Sequence, residues 1–416
     1  MKRIGILELI SSNHGLPDLC EICGGGRYSV TVFTTAELYT QIFADLSPEA
    51  LKYRWVKKQP SEDLTAYLKR AEDICNSEID LLIVNTVADP KFQDFNPKCR
   101  KLLTVYEFNA YFRADWELTK YLLKKLPHIS FYILHKIFKS NNRLTWFLLR
   151  KIPEKLSIDY DYSLGLCIKT AKATKKILEL YDGVIVEYSG LKKYAQSTFK
   201  YSKNIHVLPH WYYTPAKTTI SSGRVRFIVP GMVDSIRRDY ETILWVLENL
   251  DPNLIRSYMM TFAGKPIGAY GEMILSRCDE LKLKGHDIKY YKDRIKSIDD
   301  VIRDSDVILS PLALDFNSYY SREKYTLSKG TGVVGDCIRN GKPLIAPIGF
   351  EIGEELEGAV KLYRDKKELK SIIEKLITDK KELETLKKKA LNTCRKTTLE
   401  KTRKIFDEIV NTEIRS

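Results

Sequence analysis

The chain has 416 residues, 44% hydrophobic and 29% charged, and its 68 Lys and Arg against 54 Asp and Glu give a formal net charge of +14. That length exceeds one comfortable hydrophobic core and predicts two domains, in a composition ordinary for globular proteins. No apolar run approaches the roughly 20 residues that span a bilayer, and Met1–Ile10 lacks a signal-peptide cleavage pattern, so a cytoplasmic location is expected.

In chain order, apolar runs predict strands at Arg3–Leu9, Ser29–Phe33, Asp80–Asn85, Lys101–Tyr106, Gly183–Glu187 and Asn204–Leu208. Amphipathic helices are predicted around Leu64–Cys75 and Ile168–Leu180, and the alternation is that of a doubly wound parallel sheet. The polar stretch Thr214–Gly223 reads as a linker. Beyond it the pattern begins again, with strands predicted at Arg224–Val229, Tyr258–Phe262, Ile288–Tyr291, Val307–Leu309 and Leu344–Ala346. The expected organisation is therefore α/β, with a first domain over residues 1–213, a linker over 214–223 and a second domain over 224–395. A closing helix over 396–416 is expected to cross back to the first domain. Two such sheets facing each other form one cleft at the carboxyl ends of their strands.

The eight cysteines are scattered. Only Cys20 and Cys23 lie close together, and no second Cys or His pair completes a zinc site, so they read as core or loop residues. The positive excess asks for an anionic partner, whether nucleotide, membrane surface or nucleic acid.

The most informative stretch is Ser328–Pro347, which reads as a glycine-rich turn, a short helix stopped at Asn340-Gly341, and a buried strand. Gly330 and Gly332 let the backbone approach a ligand, and the N–H groups of Gly332, Val333 and Val334 would face an anion at the helix's positive end. Lys329 and the Thr331 hydroxyl add a charge and a donor. A second anion-binding pattern opens the second domain, where a strand, Gly231, a loop carrying Arg237 and Arg238, and then a helix follow one another. Gly264-Lys265 and Tyr291 end neighbouring strands and fit the same cleft.

With these residues in place, the second half resembles the donor-binding half of GT-B glycosyltransferases of the large glycogen-synthase-like family (group 1). Val229–Tyr240 resembles that family's glycine with its basic pair. Asp306–Pro311 resembles its Asp-Val-x-x-x-Pro strand, and Asp336–Ala346 its Glu-Ala-x-x-x-Gly-x-Pro-Val-Ile-Ala segment, the whole covering about 120 residues. The resemblance implies two Rossmann-like domains across a cleft, with C-terminal helices packing back. It also implies a sugar moved from a nucleotide-diphosphate donor, UDP- or GDP-linked, to a hydroxyl of a glycan or lipid-linked acceptor, with no cofactor and no metal. Asp336 stands where the family's second glutamate holds the ribose, and Ser328 where its first would hold the donor sugar. Met232 follows Gly231 where the family has arginine. In the first half, Ser11–Gly15 resembles the loop after the first strand, Leu103–Asn109 a strand ending near the acceptor, and Val207–Trp211 the hinge strand.

Glycosyl transfer with inversion needs a base for the acceptor proton, and Glu107 is the first candidate, His14 the second. Asp159–Asp161 and Asp304–Asp306 imitate a metal-binding Asp-x-Asp pattern and are read as decoys. Between Arg113 and Arg150, eight Lys and Arg against two acids interleave with aromatic residues, which fits the inner face of an anionic membrane. The alternatives are a GT-B sugar-nucleotide epimerase or hydrolase, which would want more carboxylates and histidines near the donor, and a basic nucleic-acid-binding protein. No nucleic-acid-recognition pattern supports the latter.

Overall fold

The computed structural model describes residues 1–10, 15–87, 89–112, 173–174, 176–199, 201–215, 223–293, 295, 297–318, 321–351 and 353–415. Its first sheet consists of β1 (Lys2–Leu7), β2 (Tyr28–Thr35), β3 (Arg54–Lys58), β4 (Leu81–Val84), β5 (Arg100–Thr104), β6 (Gly183–Val186) and β7 (Asn204–Val207). Its order is β3-β2-β1-β4-β5-β6-β7, and the strands pair in parallel throughout. The second sheet consists of β8 (Val225–Pro230), β9 (Tyr258–Ala263), β10 (Ile288–Tyr290), β11 (Val307–Leu309), β14 (Leu344–Pro347) and β15 (Val360–Tyr363), in the order β10-β9-β8-β11-β14-β15. It too is parallel. In both sheets the winding reverses beside the first strand, between β1 and β4 and between β8 and β11, which is where a doubly wound sheet opens a crevice.

Central strands such as Leu81-Leu82-Ile83-Val84 are buried along their whole length because helices cover both faces. Edge strands lack that signature. β3, Arg-Trp-Val-Lys-Lys, buries only Val56, and β15 is largely half-buried, so neither emerges from an apolar-run reading. An antiparallel hairpin of β12 (Asp315–Ser318) and β13 (Ser321–Lys324), also absent from the sequence reading, leaves the second sheet after β11. It packs on the helix Phe108–Phe112 of the first domain.

The two domains share apolar packing. Val333, Val334, Cys337 and Ile338 lie in one buried cluster with Val184, Val186, Tyr188 and Trp211. The last helix, Leu399–Arg415, lies against the first domain, where Phe406, Ile409 and Val410 join Leu16, Leu19 and Ile22 in a common core. Glu413 on that helix is fully buried and accepts hydrogen bonds from Arg100 (2.9 Å), Asn204 (2.7 Å) and His206 (2.7 Å). Burial opposes its ionisation, but the bonds from Asn204, His206 and Arg100 prevail and hold the carboxyl below its ordinary value.

Candidate functional site

The turn ahead of the helix Gly332–Asn340 is stitched to the end of β5. Phe108 N donates to Ser328 O at 2.8 Å, and Gly330 N donates to Tyr106 O at 3.1 Å. Lys329 forms an ion pair with Glu107 across the domains, and Tyr188 donates its hydroxyl to Lys329 O at 3.3 Å. Thr326, at φ 65, occupies the left-handed region, which costs a β-branched residue on the order of 1–3 kcal/mol and persists only where its surroundings enforce it. Thr326 N bonds Lys329 O at 2.8 Å, and its hydroxyl accepts Glu351 N at 2.7 Å, so the turn holds Lys329 in place from both sides.

The helix itself starts uncapped. Thr331 occupies the cap position with no side-chain cap bond, and a Cβ added at Gly332 would meet nothing within 4 Å. Val334 N, expected to face an anion, instead donates to Thr331 O at 3.2 Å, which leaves the N–H groups of Gly332 and Val333 at the positive end of the helix dipole. Gly332, Gly335, Asp336 and Arg339 share one helical face, and that face forms one wall of a cavity of about 370 Å³ between the domains. Ile298 and Asp299 extend this wall, and Gly15, Asn85, Thr86, Tyr106, Glu187, His210 and Trp211 of the first domain line the other.

Several ionisable groups of this cavity are displaced from their ordinary behaviour. Burial, reinforced by Asp299, raises Asp336 to about 7 against the opposing pull of Arg339 and Arg238. Burial raises Glu187 to about 8, with Lys329 pulling the other way, and lowers His210 to about 4. Tyr106 donates its hydroxyl to Asn85 Oδ1 at 3.0 Å and lies 3.5 Å from His210 Nδ1, while His210 Nε2 is buried without a partner among the described residues. Arg339 joins Asp18 of the first domain to Asp299 of the second. Glu8, fully buried at the end of β1, accepts from Asn85 Nδ2 (2.8 Å) and Thr86 Oγ1 (2.6 Å), which orients that edge of the cavity.

At the end of β8, Gly231 (φ 95) leaves the space that the Arg238 guanidinium fills, since a Cβ there would lie 2.2 Å from Arg238 Nη2. Arg238 Nε is buried without a hydrogen-bond partner, and no ion pair of Arg238 forms among the described residues. The aspartate beside it is otherwise engaged, because Asp239 accepts Thr242 N at 3.0 Å as the cap of the helix Tyr240–Glu248. Arg237 is exposed; its backbone N–H donates to Asp234 Oδ1 at 2.8 Å, while its guanidinium comes no nearer than 3.9 Å to that carboxylate. Gly264 permits a close approach of chains: a Cβ on it would stand 1.9 Å from Gly231 O.

The sequence-predicted residues thus separate. Gly332 and Asp336 line the cavity, Gly330 abuts the lining residue Glu187, and Arg238 with Gly231 lies near enough that its charge lowers Asp336. Thr331 and Val333 begin the helix, Val333 with its side chain in the shared core. Lys265 is exposed beyond β9, and Tyr291 follows the edge strand β10 with Lys289 Nζ 5.1 Å from its ring centre; neither lines the cavity. The Ser328 hydroxyl is consumed inside its own turn, donating to Glu323 Oε2 at 2.6 Å and accepting from Lys324 N at 2.8 Å and Asn109 Nδ2 at 3.3 Å. Burial, with Glu107 adding to it, raises that Glu323 to about 8. His14, Asp159–Asp161 and the segment Arg113–Arg150 lie outside the described residues. Asp306 is engaged by Arg226 and Lys387. Among the described residues no group of three His, Cys, Asp or Glu side chains is arranged to hold a metal ion, and no helix is long and apolar enough to cross a membrane.

Glu187, Asn85, Tyr106, His210, Asp299 and Arg339 escaped the sequence reading as site residues. Glu187, Asn85 and Tyr106 each end a predicted strand as a polar group after an apolar run, a signal that would have served.

Two parallel sheets with this winding, meeting through the carboxyl ends of their strands, define the GT-B fold of glycosyltransferases. Among solved structures the chain is similar to Anabaena HepE in complex with UDP and glucose, with a TM-score of 0.60 and 13% identity over 99% of this chain and 100% of that one. It is similar also to the N-terminal domain of the Candida albicans trehalose-6-phosphate phosphatase (TM-score 0.57, 11% identity, 99% and 97% covered). A third is WaaG, a glycosyltransferase involved in lipopolysaccharide biosynthesis (TM-score 0.54, 10% identity, 98% and 99% covered). No family model matches the chain, and no curated protein matches it in sequence.

Proposed function

We propose that this chain is a glycosyltransferase that moves a sugar from a nucleotide-diphosphate donor to a hydroxyl acceptor. The observation that carries the reading is a helix N-terminus without a side-chain cap at Gly332, on the wall of the interdomain cavity, with the half-buried Arg238 close by, its Nε buried without a partner and its charge felt by the lining residue Asp336. A planar cation and converging N–H groups match a diphosphate and stabilise it as it leaves, without requiring a metal. Asp336, which lines the cavity on the same helical face, is assigned the ribose hydroxyls in this proposal. Binding of UDP and glucose in HepE supports the donor class.

The acceptor is proposed to be a glycan or a lipid-linked glycan, with the basic aromatic stretch Arg113–Arg150 resting on the anionic inner face of a membrane. Flotation with anionic but not neutral liposomes checks that placement. The epimerase or hydrolase reading gains one specific observation: the cavity holds more acids, Glu187, Asp299 and Asp336, and a histidine, His210, than the motifs alone revealed.

A thermal-shift screen of UDP-glucose, GDP-mannose and dTDP-glucose tests the proposal. One donor at about 100 times its Kd is expected to stabilise the fold by about 2.7 kcal/mol. No response to any of the three counts against the donor class, and formation of an epimer without added acceptor selects the second reading.

A further inference from the structure

We infer that Cys75 and Cys99 form a modification site, a dithiol that a small-molecule disulfide such as oxidised glutathione converts to a bridge between the helix Leu64–Glu78 and the start of β5. The inference stands apart from the transferase reading, because the pair lies at the amino end of the first sheet, away from the cleft.

The fold brings the two cysteines together. Cys75 is fully buried in the last turn of its helix, and Cys99 is half-buried in the bend just ahead of β5. Lys98 N donates to Asn76 Oδ1 at 2.6 Å, so the residues beside the two cysteines are bound to each other. Both side chains pack in one apolar cluster, and the two thiols share a hydrogen bond. Burial raises the Tyr181 hydroxyl, and charges on Tyr111, Cys75 and Cys99 would raise it further, which places both sulfurs near the same ring. That hydroxyl is buried without a hydrogen-bond partner among the described residues, so neither thiol is drawn away toward it.

Their surroundings divide the roles. The hydrogen bond with Cys75 lowers Cys99 against the opposing effect of burial, with Lys101 assisting and Asp182 resisting. The same bond, with burial, raises Cys75. The thiolate is the attacking form of cysteine, so Cys99 is the nucleophile and Cys75 the thiol that resolves the intermediate. Access agrees with this order. Among the described cysteines Cys99 is the one that is not buried, whereas Cys75 can be reached only from within the protein.

In the first step the Cys99 sulfur bonds to one sulfur of oxidised glutathione. The S–S bond of the reagent breaks, and one glutathione leaves with its electron pair. The Cys75 sulfur then bonds to the Cys99 sulfur, and the second glutathione leaves with the electron pair of the mixed disulfide. The two cysteine protons end on the two glutathione thiols, and the protein has given up two electrons to the reagent. Cys99 lies in a bend rather than in the β5 ladder, so this is where the chain yields as the sulfurs close to the roughly 2 Å of the bond. The bridge closes the loop that contains β4, restricts the unfolded chain and stabilises the first domain.

The test incubates the full chain with oxidised and reduced glutathione at graded ratios, blocks the remaining thiols, and maps the digested peptides by mass spectrometry. Melting temperatures are measured alongside. Wild type is expected to give a peptide pair joined through Cys75 and Cys99, reversed by dithiothreitol, with a melting temperature raised by about 5 °C or more. Cys75→Ser should stop with glutathione held on Cys99, and Cys99→Ser should show neither the joined pair nor the rise. Should the buried Cys75→Ser fail to fold, Cys99→Ser, at a half-buried position, supplies the contrast alone. Absence of the joined pair at the most oxidising ratio overturns the assignment. So does Cys99 joined to another cysteine, or a rise in melting temperature that persists in Cys99→Ser.

Discussion

Replacing Arg238 by alanine is expected to weaken nucleotide-diphosphate binding by about 10- to 150-fold, the equivalent of roughly 1.5–3 kcal/mol for a charge-assisted hydrogen bond. The reason is positional. The guanidinium is packed over Gly231 rather than waving in solvent, and its Nε has no partner. A group already held in place loses little further freedom on binding, so more of its interaction appears as affinity. Arg237 is the internal control. It is exposed, and its substitution by alanine should change affinity only a few fold, in proportion to screened charge. Calorimetric titration with UDP and GDP reads both variants; equal losses in the two would show that general charge, not this geometry, binds the nucleotide.

The second large effect is on the fold. Gly264→Ala is expected to destabilise the second domain by about 3 kcal/mol or more, lowering its melting temperature by roughly 6–12 °C. The added Cβ would stand 1.9 Å from Gly231 O and 2.3 Å from Gly231 C, which are backbone atoms and cannot swing aside. Relief would have to come by moving the end of β8 away from β9, displacing Gly231 and with it the surface under Arg238. Nucleotide affinity should fall together with stability. Gly332→Ala provides the contrast, because nothing lies within 4 Å of the new Cβ and its melting temperature should stay near wild type. A melting temperature for Gly264→Ala within a degree of wild type would contradict the packing of these two strand ends.

The legibility of the chain followed burial. Leu81–Val84 and Val225–Pro230 announce themselves because central parallel strands must be apolar on both faces. Arg54–Lys58 and Val360–Tyr363 do not, being edge strands with half their surface in water. The helix stop at Gly341 could be read locally, and the residue indeed adopts the left-handed conformation, φ 62. The partners in the cleft could not be read that way. Glu107 meets Lys329 from 222 positions away, and the Ser328 hydroxyl is claimed by Glu323 only because the β12–β13 hairpin returns to the turn. Motif spacing placed Ser328 beside a donor sugar, whereas its hydrogen bonds place it in the scaffold of the turn. Glu187 was visible as a charge ending an apolar run, but its solitude in the cavity is a property of three-dimensional packing.

The most direct measurement of the central claim is a crystal structure of the protein soaked with the donor selected by the screen. The diphosphate is expected within hydrogen-bonding distance of the Gly332 and Val333 N–H groups and the Arg238 guanidinium, with the ribose hydroxyls at Asp336. A nucleotide bound away from the cavity lined by Gly332, Asp336 and Glu187, or with its diphosphate remote from Arg238, would contradict the account.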